Sequence, residues 1–85
     1  MSVNVNKGGT VAEITVFTSN GWGPCMATKS WLKKRDYEFI EYNISENVEY
    51  ADRLLQLGAK VTPVVMVDDQ MIIGYSPIQL EAALS

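Results

Sequence analysis

The sequence contains no histidine and a single cysteine, Cys25, among 85 residues. One thiol cannot close an internal disulfide, and without histidine a Cys/His zinc site is excluded. The carboxylates do not cluster at ligand spacing, so neither a metal nor a cofactor is expected. Long apolar runs are also missing. The longest, Val64 to Val67, is far short of the ~20 residues that a membrane helix needs. The opening dozen residues hold one lysine, two glycines and no apolar run, unlike a secretory signal, so a cytoplasmic protein is expected. Charge is sparse: 20% of residues carry it and the formal net charge is −3, which indicates neither a nucleic-acid partner nor disorder.

What the sequence does have is apolar content, at 47% of residues. That is enough for one core in a chain of this length and too little for two. A single monomeric domain is expected over 13–85. It follows an arm, 1–12, that reads either as a loose segment or as a short edge strand, since Val3 and Val5 alternate with asparagines.

The run Ile14-Thr15-Val16-Phe17 predicts a strand over Glu13 to Thr18, apolar on both faces and therefore inside a sheet. A turn of small residues, Ser19 to Pro24, leads into a helix reaching about Asp36, with Pro24 where a missing N–H does no harm. On a helical wheel Cys25, Ala27, Thr28, Trp31 and Leu32 share one side. Lys29, Ser30, Lys33 and Lys34 take the other, with Met26 beside the turn. The lysines read as a solvated face that complements the helix dipole, or as a surface for an acidic partner.

Tyr37 to Ile44 predicts a second strand, with Ile40, Tyr42 and Ile44 on one face. Ser45 or Asn47 caps a helix bearing Val48, Ala51, Leu54 and Leu55, which Gly58 ends. Val64 to Val67 and Gln70 to Ile73 flank Asp68-Asp69 as a hairpin. Ser76-Pro77-Ile78-Gln79 is a capping box that opens a last helix through Leu84. The order βαβαββα, with a right-handed crossover, gives an α/β fold. Its four-stranded mixed sheet has helices on both faces.

A strand that turns directly into a helix presents the helix's unpaired N–H groups at the strand's carboxyl end. A thiol held there has a stabilised thiolate, which is why a C-x-x-C sequence at a helix start works as a redox device. The segment Thr18-Ser19-Asn20-Gly21-Trp22-Gly23-Pro24-Cys25-Met26-Ala27-Thr28-Lys29 resembles the active-site region of glutaredoxins and NrdH-type redoxins. Val61-Thr62-Pro63 resembles the superfamily loop whose proline is cis and faces the active-site turn. Gly74-Tyr75-Ser76-Pro77 resembles the G-F-x-P near the NrdH carboxyl terminus. The resemblance runs from Glu13 to Leu84.

It implies a thioredoxin-like fold and a small electron donor, reduced by thioredoxin reductase and serving ribonucleotide reductase. It also implies an active-site turn at Trp22, Gly23, Pro24 and Cys25. The substrate groove would be formed by Met26, Thr62, Pro63, Gly74 and Tyr75. Trp22 stands where the family has its attacking cysteine, and Cys25 stands at the resolving position. Ser19 replaces a lysine frequent in the family, and Ile78 an acidic residue. The paired glycines that hold glutathione reduce to Gly74, which argues against glutathione as a partner. Dithiol exchange is expected to be absent from this chain. Two readings of Cys25 stay open, an inert buried residue and a reactive thiol. The rival to a redoxin is a catalytically silent module that keeps the groove for an extended peptide, paired with the backbone beside Thr62.

Overall fold

The computed structural model of the chain describes residues 4–7 and 10–84. In chain order the elements are β1 (Asn4–Lys7), β2 (Thr10–Thr18), α1 (Gly23–Lys34), β3 (Ile40–Asn43), α2 (Val48–Gln56), β4 (Val64–Val67), β5 (Gln70–Ile73) and α3 (Pro77–Leu84).

β2 is the central strand. It pairs in parallel with β3, Thr15 opposite Ile40 through Thr18 opposite Asn43. On its other side it pairs antiparallel with β4, Ile14 opposite Val67 through Phe17 opposite Val64. β4 continues antiparallel into β5 around Asp68-Asp69, and Asp68 takes the positive φ (52°) that this tight hairpin needs. These four strands are the expected mixed sheet. In addition, β1 pairs antiparallel with the front of β2, Asn4 opposite Glu13 through Lys7 opposite Thr10. Of the two readings of the opening arm, residues 4–7 and 10–12 therefore follow the strand and not the loose segment. Its residues 1–3, 8 and 9 lie outside the described residues.

Strand alternation divides the core into two layers. Ile14, Val16, Val65, Val67 and Ile72 face Trp31 and Leu32 of α1 and Leu80 and Leu84 of α3. Phe17 and Val64 face the other way, onto Leu54 of α2 and Ala59, with Tyr42, Ile44, Met66 and Met71 packed around them. The helical wheel of α1 holds: Cys25, Thr28, Trp31 and Leu32 are buried.

The second strand is shorter than the expected Tyr37 to Ile44. The reason lies at the end of α1, where Asp36 has φ 60°. There the Asp36 N–H donates to the Lys33 carbonyl, and the Tyr37 N–H donates to the Leu32 carbonyl (3.1 Å each). This is a Schellman closure, so Tyr37 finishes the helix instead of entering the ladder. Its ring stacks on Trp31, and its hydroxyl donates to the Leu84 carbonyl at 3.0 Å, joining α1 to α3. α2 closes in the same manner. Gly58 (φ 91°) donates to Leu55 and Ala59 to Leu54, while Asn47, and not Ser45, caps its start through the Glu49 N–H. The Ser76 hydroxyl accepts from the Gln79 N–H at the start of α3, as the capping box predicted. Among the described residues no helix is long and apolar enough to cross a membrane.

Candidate functional site

β2 ends at Thr18, and the chain bends through Ser19 to Trp22 into α1. Trp22 is the cap residue, in extended conformation (φ −102°, ψ 115°), and its side chain makes no cap hydrogen bond. Its carbonyl accepts the first helical bonds, from the N–H of Cys25 (3.1 Å) and of Met26 (3.3 Å). The helix begins at Gly23, so Pro24 is its second residue, still within the turn where no N–H is needed. The Pro24 carbonyl takes the Thr28 hydroxyl at 2.8 Å.

Cys25 is on the inner side of α1 and only 1% exposed. Trp22 is on the outer side of the turn and 52% exposed. Its indole is not loose, because Nε1 donates to the Thr62 carbonyl at 3.1 Å. The Ser19 and Thr62 hydroxyls share a second bond at 2.7 Å between the same two loops. The Thr62-Pro63 bond is cis, and the Pro63 carbonyl accepts from the Gly74 N–H at 2.8 Å. The turn thus faces the cis peptide, and Gly74 closes the far side with φ 81°. Tyr75, next along, is exposed.

Trp22, Cys25, Thr62, Pro63 and Gly74 are accordingly brought to one end of the sheet. Met26, whose N–H donates to the Trp22 carbonyl, is exposed and lines a depression on the outer face of α1 with Lys29, Ser30, Lys33 and Lys34. The groove beside Trp22 is open, and Ser19, Ile44, Lys60, Val61 and Thr62 complete its lining. Ile44 and Lys60 were not foreseen. Ile44 arrives because its N–H extends the parallel ladder to the Thr18 carbonyl (2.8 Å), a register invisible before β2 and β3 are paired.

Below the turn Thr18 is buried, and its hydroxyl donates to Glu41 Oε2 at 2.7 Å. Lys29 Nζ reaches the same oxygen at 3.0 Å. Burial pushes the Glu41 carboxyl up, but the Thr18 hydroxyl, the Lys29 ammonium and the more distant Lys33 outweigh it. The net displacement is below the ordinary carboxylate value.

Residues 14–72 match the glutaredoxin family model. The chain belongs to the glutaredoxin family. Within that family its relatives include several of the NrdH type. It is 31% identical over 67 residues to the glutaredoxin-like protein NrdH of Lactococcus lactis, covering 79% of this chain and 93% of that protein. The NrdH protein of Salmonella typhimurium is 36% identical over 64 residues, 75% of this chain and 79% of the relative. The NrdH-redoxin structure from Escherichia coli superposes with a TM-score of 0.75 at 30% identity, covering 81% of this chain and 91% of that one. The chain is thus a NrdH-like, glutaredoxin-type redoxin with a thioredoxin-like fold, as its three motifs implied.

Proposed function

We propose that this redoxin has the scaffold of an electron donor, with thioredoxin reductase upstream and ribonucleotide reductase downstream in the cytoplasm, but carries out no dithiol exchange as it stands. One observation carries the reading. The sole thiol, Cys25, is 1% exposed, and the outer position of the turn holds an indole.

In the complete reaction a thiolate at position 22 attacks one sulfur of a substrate disulfide, forms a mixed disulfide and expels the first substrate thiolate. The thiolate of Cys25 then attacks the sulfur at position 22 and expels the second. Two electrons leave the dithiol, and a 22–25 disulfide remains. Trp22 has no sulfur for the first step. Cys25, even if uncovered, would form a mixed disulfide and have no neighbour to resolve it.

In this reading Gly23 and Pro24 hold the two positions at the helix start, while Thr62, Pro63, Gly74 and Tyr75 form the docking edge. Gly74 alone stands where glutathione binders have paired glycines, so this reading assigns glutathione no role. The test is Trp22→Cys in an insulin-reduction assay driven by dithiothreitol or by thioredoxin reductase. Turnover is expected from the variant and none from the parent. Turnover by the parent, or none by a folded variant, overturns the proposal. The second reading, a silent module for an extended peptide, is favoured by the open groove beside Trp22 and Thr62.

A further inference from the structure

We propose that the Trp22 indole is an internal plug of the docking edge, occupying the backbone acceptor that an extended partner segment would need. The inference rests on the reading above that partners dock beside Thr62, and it adds a gate to it.

An added strand gains its affinity from main-chain hydrogen bonds to unpaired backbone groups. Thr62 precedes β4 and lies outside its ladder, so the sheet leaves its carbonyl open. Two successive carbonyls sit at the cis bond, and each already accepts one hydrogen bond. That of Pro63 accepts from the Gly74 N–H at 2.8 Å, which belongs to the fold. That of Thr62 accepts from Trp22 Nε1 at 3.1 Å, which belongs to a half-exposed side chain. The Thr62 hydroxyl is likewise held, by Ser19 at 2.7 Å.

An incoming backbone N–H therefore competes with the indole N–H for the Thr62 carbonyl until the indole swings out. The swing is open to it, since the residue is 52% exposed. The partner class is an extended peptide. The groove flanking the indole offers Ile44 and Val61 for an apolar side chain and Lys60 for an acidic one.

The probe is reduced, carboxymethylated insulin B chain, titrated calorimetrically into the parent, Trp22→Phe and Trp22→Ala. Phenylalanine keeps a ring and loses the donor. Releasing one hydrogen bond's worth of competition predicts binding about 2- to 12-fold tighter for Trp22→Phe than for the parent. Trp22→Ala, which also removes the bulk, is expected to bind tighter than the parent as well. In the parent, the Trp22 indole N–H is expected to exchange with solvent more slowly than in the urea-unfolded chain. Equal or weaker binding by Trp22→Phe overturns the plug, as does unprotected indole exchange or binding by none of the three. If Trp22→Cys reduces insulin while Trp22→Phe gains no affinity, the gate fails and the docking edge stands. If Trp22→Cys is inactive and nothing binds, the docking edge fails with it.

Discussion

Chemical labelling of Cys25 measures how far the single thiol is from chemistry. Its residue is 1% exposed, on the inner side of α1, one turn before Thr28, which is fully buried and tied to the Pro24 carbonyl. A reagent the size of 5,5′-dithiobis(2-nitrobenzoate) therefore reaches the sulfur only after the first turn of α1 detaches. That opening breaks the Trp22–Thr62 and Ser19–Thr62 bonds and bares part of the α1 face. A domain of this size has a global stability of about 4–13 kcal/mol, and sub-global openings lie below it. An opening of about 3–4 kcal/mol, at 1.4 kcal/mol per decade, slows labelling roughly 10²- to 10³-fold relative to the unfolded chain. The assay compares labelling rates at one pH in buffer and after extrapolation from urea. A native rate within tenfold of the unfolded rate would refute the reasoning and restore Cys25 as a reachable nucleophile.

Two further outcomes follow from contacts away from the turn. Tyr37→Phe deletes the buried hydroxyl that donates to the Leu84 carbonyl, so α3 loses one hydrogen-bonded tie to the end of α1. A loss of about 1–2 kcal/mol is expected, a Tm lower by about 4–16 °C in thermal melts, and a loss under about 0.5 kcal/mol contradicts it. Glu41 is held below its ordinary value of 4.5, so its contribution to stability is complete above that value and disappears as pH falls through the lower, folded one. Denaturation of the parent and Glu41→Gln from pH 7 down to pH 3 should show the variant weaker by about 0.2–1 kcal/mol at neutral pH, as for a partly exposed ion pair, with the gap closing in acid. A gap that widens as pH falls would reverse the sign assigned to the Thr18 and Lys29 contacts.

How much of this was legible beforehand depends on the range of each interaction. The Asp68-Asp69 hairpin, the Gly58 stop and the Ser76 cap are local, and residues within a few positions specify them. The buried side of α1 follows from its 3.6-residue period. The cis geometry at Thr62-Pro63 came with the resemblance of its loop to the family, and not from the dipeptide itself, which reads equally well as the start of a strand. Strand ends were harder. β1 has Val5 among polar residues and the front of β2 mixes Val11 and Ala12 with Thr10 and Glu13, and what makes them strands is pairing with each other, which alternation of two valines with asparagines only hints at. Tyr37 reads as strand by propensity but is claimed by the closure of α1 and the stack on Trp31.

By itself, then, the sequence determined the succession of elements from β2 to α3, the buried side of α1 and the presence of a single sulfur, because periodicity, caps and residue identity are written in consecutive positions. Only the tertiary structure decided that Trp22 spends its N–H on Thr62, forty residues away, that Thr18 and Lys29 converge on Glu41, and that Cys25 is sealed from solvent. Each of those depends on sheet register and helix docking, which bring together groups that no local spacing connects.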